Sequence, residues 1–322
     1  MFKIVIATSI FSASFYALAE YPAKPITMLV PYAAGGSTDV LARATADHLS
    51  RKLGKAVIVE NIGGVGGVPG IMKFMRAPND GYYLMFSNMG SYAIANNLYK
   101  SLNFDARTQI EAIGIVADVP MMLAASKASG FKNLNELLAS MKPEGAKLLN
   151  LGNGGPGGTS HIGSEYFLYV SKKKALQVPY KGTGPAITDL MAGTTDIVID
   201  QTTTLIPASK GGRILPLAVT SDKRLSEAPD VPTFREAGLP EFDISVWNAI
   251  SAPKNTPRDK IEVIVKALNE VLNDKDFRKS MENAGASVPE IGKRGPIEMQ
   301  KLIAAEVPKF QKLIREAHIV VN

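Results

Sequence analysis

Two distant stretches of this chain repeat one local order: an apolar run, a glycine-rich turn, a hydroxyl residue, then a helical pattern. The first is Met28-Leu-Val-Pro-Tyr-Ala-Ala-Gly-Gly-Ser-Thr-Asp39, and the second is Leu148-Leu-Asn-Leu-Gly-Asn-Gly-Gly-Pro-Gly-Gly-Thr-Ser-His161. Each reads as a strand, a turn and a helix, so the chain is expected to build α/β layers. Glycine lets the backbone come close to a ligand, and a hydroxyl cap leaves amide N–H groups pointing out of a positive helix end. One such helix start is a weak anion site. Two of them, in separate lobes, point to a clamp around a carboxylate.

At 322 residues the chain suits two α/β lobes better than one core. With 46% hydrophobic and 20% charged residues it has the composition of a folded protein. The formal charge of +6 is modest, and Lys172-Lys-Lys174 is its one tight basic run, read as a solvated helix end. No zinc-finger spacing or RNA-binding signature accompanies it, so nucleic acid is not an expected partner. Zero cysteines exclude disulfides, thiolate catalysis and cysteine metal sites, and no metal or cofactor is expected. Met1-Phe-Lys3, an apolar stretch from Ile4 to Leu18 and the small-x-small Ala17-Leu-Ala19 read as an export signal over residues 1–19, cleaved near Ala19/Glu20. The stretch is short for a membrane span. The expected location is the periplasm.

Along the mature chain apolar runs alternate with amphipathic patterns. Ile26 to Pro31 suits a strand buried on both faces, with Ser37 or Thr38 capping a helix that stops at Gly54. Ala56–Glu60 and Tyr82–Phe86 read as further strands, and repeated βα units imply parallel pairing. A second such series runs from Met121 to Ser221. It holds strands at Met121–Ala125, Asp196–Asp200 and Leu215–Thr220, and helices at Asn133–Met141 and from Gly184-Pro185 to Gly193. Closing helices begin at Thr256-Pro257 and Pro296 and have too few strands beside them to form a lobe. They are expected to pack on the first lobe. This gives a discontinuous domain 1 (20–118 and 247–322) and a domain 2 (119–246), with crossovers near Ala117–Pro120 and Ser245–Asn248 acting as a hinge.

The candidate ligand residues follow from position. Ser37 and Thr38 start one helix; Asp39, in its first turn, is read as favouring the helix end, since a carboxylate would repel an anionic ligand. Thr159, Ser160 and His161 sit in the richest glycine context, where contact with the ligand and bracing of the loop both suit His161. No nucleophile and orienting acid accompany it, and Gly-Thr-Ser-His lacks the second glycine of a hydrolase elbow. Asn88 and Ser91 lie just past a strand end, where open sheets bind ligands; Tyr180 and Lys181 precede another helix start, and Asp200 ends a strand. Gly63 to Gly70 is glycine-rich, but Pro69 stands where a dinucleotide loop needs glycine, so it reads as a turn framing the cleft.

Taken together, Pro25-Ile26, Val30-Pro31, Gly35-Gly-Ser-Thr-Asp39, Val59-Glu-Asn61, Asn79-Asp-Gly81, Gly158-Thr-Ser-His161 and Val178-Pro-Tyr-Lys-Gly182 form a recognisable series. Leu217-Ala-Val-Thr-Ser221, Pro229-Asp-Val-Pro-Thr233, Glu236-Ala-Gly238, Trp247 and Ala252-Pro253 continue it. The whole mature chain resembles the periplasmic receptors of tripartite tricarboxylate transporters, the Bug or TctC family. The resemblance implies a two-lobed type II periplasmic binding-protein fold, each lobe a mainly parallel sheet flanked by helices, joined by two crossover segments. It also implies a monomeric receptor, not an enzyme, that closes on a small carboxylate. The expected ligand is a di- or tricarboxylate, an acidic amino acid or an aromatic acid, and the partner a permease with one large and one small subunit. In such receptors one ligand carboxylate is held between the loop after the first strand and a loop of the second lobe. On this chain those are Tyr32, Ala34, Gly35, Gly36, Ser37, Thr38 and Asp39, and Gly157, Gly158, Thr159, Ser160 and His161. Ala34 stands where the family usually has proline. The competing reading is a secreted hydrolase-like enzyme on a similar fold.

Overall fold

The apolar run before the first glycine turn forms strand β1 (Ile26–Val30), whose side chains alternate between two cores. Met28 and Val30 face one and Leu29 the other. This period of two, with both faces buried, is what a strand covered by helices on each side requires. The structure is a computed structural model and describes residues 21–99, 101–141 and 148–320. The expected export signal lies outside those residues. Among them, no helix is long and apolar enough to cross a membrane.

The remaining strands are β2 (Val57–Asn61), β3 (Tyr83–Asn88), β4 (Ile110–Ser126), β5 (Asn150–Asn153), β6 (Leu176–Pro179), β7 (Ile197–Gln201), β8 (Ile214–Val219) and β9 (Ser245–Pro253). The helices are α1 (Ser37–Leu53), α2 (Val68–Met75), α3 (Ala95–Leu98), α4 (Leu134–Ser140) and α5 (Thr159–Ser171). They continue with α6 (Thr183–Ala192), α7 (Thr202–Lys210), α8 (Arg258–Asn273), α9 (Lys275–Asn283) and α10 (Pro296–Glu316). The strands form one mixed, curled sheet in the order β2-β1-β3-β9-β4-β7-β5-β6, with β8 also paired to β4.

Parallel pairing occupies the two outer parts, β2-β1-β3 and β7-β5-β6. The centre is antiparallel: β9 pairs with β3 and β4, and β4 with β7 and β8. The cause is β4 itself. Local pattern marked only Met121–Ala125, yet the strand runs 17 residues through both parts of the sheet. Its first portion pairs with β9 and its last with β7 and β8, and register shifts between Ala112 and Gly114, Ile115 and Ala117, and Leu123 and Ala124 bend it on the way. Each extra residue adds local twist. The segments expected to be crossovers lie side by side: Ala117 opposes Asn248 and Pro120 opposes Ser245.

Among the described residues three apolar clusters result. Helices α1, α8 and α9 enclose one with β1, through Leu41, Leu49, Leu268 and Phe277. Met122, Val198, Leu190 and Leu205 form another under α6 and α7. The third is shared by both parts of the sheet and includes Tyr92, Leu123, Ile199, Phe242, Trp247 and Phe310 of α10. Tyr92 and Trp247 stack in it at 5.6 Å.

Candidate functional site

The two glycine turns face each other across the sheet. Helix α1 takes Gly36 as its N-cap and α5 takes Gly158, and neither start is capped by a side chain. The first-turn amides, those of Ser37 and Thr38 and of Thr159 and Ser160, have no carbonyl to bond within their helices. The expectation that Ser37 or Thr38 caps α1 is therefore corrected: extended Gly36 fills that position, and the two hydroxyls bond Asp200 and Asn88 instead. Helix α6 starts likewise at Gly182 and α7 at Gln201, again without a side-chain cap. Residues from all four helix starts line one cavity of about 40 Å³. At ~10–15 Å³ per water this is room on the scale of a carboxylate with its hydration. Four positive dipole ends aimed at one small space favour an anion there.

The expected residues Tyr32, Gly36, Ser37, Thr38 and Asn88 line this cavity from the β1–α1 side, and Gly158, Thr159, Ser160 and Asp200 from the other. Asn88 donates to Thr38 Oγ1 at 2.7 Å while its Oδ1 accepts from Tyr32 Oη at 3.0 Å and from the Gly90 amide at 2.9 Å. Burial pushes the Tyr32 phenol above its ordinary range, against bonds from Ser91 and Ser87. Asp200 is 1% exposed. Its Oδ2 accepts from Ser37 Oγ at 3.0 Å and from Thr204 Oγ1 at 2.7 Å. Burial raises its pKa, and bonds from Thr204, the Gln201 amide, Thr183 and Ser37 act in the opposite direction.

The other expected residues stand off the cavity wall. Ala34 and Gly35 are exposed on the outer side of the first turn. Asp39 holds that turn closed: Oδ2 accepts from the Gly35 amide at 2.9 Å and from Arg43 Nε at 3.0 Å, and Oδ1 accepts from Asn61 Nδ2 at 2.9 Å. Burial pushes this carboxyl up, and the Arg43, Gly35 and Asn61 bonds outweigh it and hold it below the ordinary range. Ser91 lies behind the wall, 2.7 Å from Ser87 Oγ. His161 braces the second turn: its Nδ1 accepts the Gly157 amide at 3.2 Å, and Nε2 lies 3.6 Å from Glu165. Ser160 directs its hydroxyl to the Ile199 carbonyl at 2.6 Å. Among the described residues no hydrogen bond joins Ser160 to His161. Tyr180 bonds Asp189 at 2.6 Å, and Lys181 is exposed.

Ala33, Gly154, Gly182, Thr183 and Gln201 also line the cavity and were missed in the sequence. For Gly182-Thr183 the signal existed: it repeats the glycine–hydroxyl helix start a third time, directly after Tyr180 and Lys181. Gln201 follows Asp200 at the same strand end, but nothing local marks it. The glycine stretch after β2 packs against the turn before α5. A Cβ on Gly66, at φ 60°, would lie 2.5 Å from Tyr99 Oη and 2.6 Å from the Pro156 carbonyl, and Tyr99 donates to that carbonyl.

The chain is similar to known proteins over nearly its whole length. BugT of Bordetella pertussis is 33% identical over 297 residues, 92% of this chain and 90% of that protein. The solved structure of the periplasmic binding protein BugD is 36% identical, covers 93% of this chain and 99% of its own, and superposes with a TM-score of 0.87. MatC from Rhodopseudomonas palustris, solved with bound malate, is 29% identical, covers 91% of this chain and all (100%) of its own, and gives a TM-score of 0.86. The model of the tripartite tricarboxylate transporter family receptor, TctC, matches residues 41–319. The protein belongs to the TctC (Bug) family of solute-binding receptors, and its α/β architecture is that of their periplasmic binding-protein fold.

Proposed function

We propose that this protein is a periplasmic receptor that captures a small carboxylate between its two lobes and hands it to a membrane permease with one large and one small subunit. It does not act as an enzyme in this reading. The lobes are 20–118 with 247–322, and 119–246; the leader is removed near Ala19/Glu20, and the receptor works as a monomer. The observation that carries the reading is the convergence of uncapped helix starts, α1 from one lobe and α5 from the other, on a single cavity. MatC, with its bound malate, adds support from a relative.

The energetics suffice. Each helix start contributes roughly 0.3–1 kcal/mol to an anion, up to ~2 when partly buried. Charge-assisted hydrogen bonds add about 1.5–3 kcal/mol each. Several together, less the cost of association, reach the roughly −8 kcal/mol of micromolar binding. A ligand shifts the lobes only by binding one arrangement better, so donors from both are needed. Thermal unfolding in the presence of di- and tricarboxylates, acidic amino acids and aromatic acids tests this. At least one acid is expected to raise the melting temperature in proportion to its affinity. Calorimetry that finds no bound acid from any of these classes rejects the reading.

A further inference from the structure

Gln201 is the amide side chain on the cavity wall whose NH₂ has no protein partner among the described residues. It is 2% exposed, starts α7 without using its side chain, and lines the cavity. Its Oε1 accepts from Asn248 Nδ2 at 3.2 Å. That same nitrogen donates to the Val246 carbonyl at 3.1 Å. A backbone carbonyl can only accept, so the Asn248 atom facing it is nitrogen, and the second hydrogen of that nitrogen requires an oxygen on Gln201. The Gln201 amide is thereby locked with its oxygen toward the crossover strand β9 and its NH₂ toward the cavity. Among the described residues no protein acceptor takes those hydrogens. Asn248 is 0% exposed, and its own Oδ1 has no partner. A buried unpaired acceptor is rare enough to need a reason. Aiming Gln201 supplies one.

The rest of the wall agrees in sign. The one carboxylate there among the described residues, Asp200, already accepts Ser37 and Thr204 on Oδ2, and Thr183 and the Gln201 amide also act on it. The other side chains and amides open to a ligand offer donors: first-turn amides, the Thr38 and Thr159 hydroxyls and Gln201 Nε2.

We infer that Gln201 is the specificity-determining side chain of the site. Its NH₂ reads an oxygen acceptor of the bound acid, and Asn248 is the positioning residue that fixes this polarity from the crossover. The inference rests on the receptor reading above and narrows it: the ligand group seated against Gln201 carries no amine, because an ammonium would set donors against donors.

The test is isothermal calorimetry on the mature chain with L-malate, succinate, adipate and L-aspartate. Malate and aspartate share a carbon skeleton and differ only in hydroxyl against ammonium. Wild type is expected to bind malate at least ~10-fold tighter than aspartate. For the tightest acid, Gln201→Met is expected to weaken binding ~10-fold or more. Asn248→Ala is expected to do the same alone and nothing further in the Gln201→Met background, a non-additivity that a merely structural Asn248 would not show. Gln201→Glu keeps an oxygen for Asn248 and presents a second one to the cavity, so a loss of ~100-fold is expected with unfolding curves unchanged. If Asn248→Ala does not fold, the two Gln201 variants decide the matter. Wild-type binding of an acid that survives Gln201→Met and Gln201→Glu overturns the inference and leaves the receptor reading standing. Tighter binding of aspartate than malate overturns its amine-free part. Failure of all four acids to bind wild type removes the receptor reading for dicarboxylates first, and the inference with it.

Discussion

Ser37 Oγ donates to Asp200 Oδ2 at 3.0 Å, joining the first residue of α1 to a strand end 163 positions away. Thr204 shares the same oxygen from α7. One buried carboxylate thus ties the starts of helices from both parts of the sheet. Hydrogen bonds to a charged group contribute about 1.5–3 kcal/mol. Ser37→Ala is expected to lower unfolding free energy by ~1–2 kcal/mol, since Thr204 remains, and to weaken carboxylate binding as well. Urea denaturation beside calorimetry checks both; equal stability of the two proteins would show that the bond is idle.

Asp200 also sets a pH dependence. Burial raises its pKa, so between the ordinary carboxylate range and the raised value the native state holds a proton that the unfolded chain has lost. Stability from this group therefore falls as pH climbs through that window and is level above it. The same proton removes a negative charge from the anion site. A like charge at ~5 Å and an effective dielectric of about 20 costs roughly 3 kcal/mol. Asp200→Asn is expected to bind a dicarboxylate tighter than wild type, by ~10-fold or more, at a pH above the raised value. That ratio should shrink toward one as pH falls, and a ratio constant with pH would exclude Asp200 as its source.

Thr159 and Ser160 separate cleanly. The Ser160 hydroxyl is committed to the Ile199 carbonyl, whereas Thr159 lines the cavity. Ser160→Ala is expected to lose ~0.5–1.5 kcal/mol of stability with ligand affinity close to wild type, because its backbone amide remains. Thr159→Val should do the reverse, keeping stability and losing roughly 10-fold in affinity. The two measurements exchanging places would contradict the assignment.

Gly182 sits at φ 110°, where a Cβ would lie 2.9 Å from that of Ala33 on the β1–α1 turn. Gly182→Ala adds backbone strain of ~1–3 kcal/mol and wedges the two turns apart. Affinity is expected to fall by more than the stability change accounts for, with small-angle scattering in saturating ligand showing a larger radius of gyration than wild type.

His161→Phe removes the acceptor of the Gly157 amide. Leaving a buried donor unpaired costs about 1–3 kcal/mol, read as a lower urea midpoint. A hydrolytic activity in the wild type that this substitution abolishes would revive the enzyme reading.

Much of this was written locally. Strand β1, the αL stop at Gly54, the Asn133 cap of α4 and the turn at Gly193 depend on residues within a few positions of each other, and sequence patterns report such short-range preferences well. The glycine–hydroxyl helix starts belong with them, which is why both sides of the cavity could be named from the chain alone. The direction of a side chain is different. Ser160 turns to the Ile199 carbonyl, 39 positions away, while His161 bonds Gly157 and Ser91 bonds Ser87 four positions off, choices that the glycine–hydroxyl pattern does not encode.

The sequence by itself determined the layered α/β construction and the two glycine–hydroxyl helix starts, since each rests on periodicity and turn chemistry carried by contiguous residues. Only the tertiary structure decided that β4 runs unbroken through the whole sheet beside β9, and that Asp200 and Gln201 stand at the meeting point of four helix starts. The physical reason is range: antiparallel pairing between residues 117–120 and 245–248, and an amide aimed by Asn248, are contacts between distant segments that no local propensity encodes.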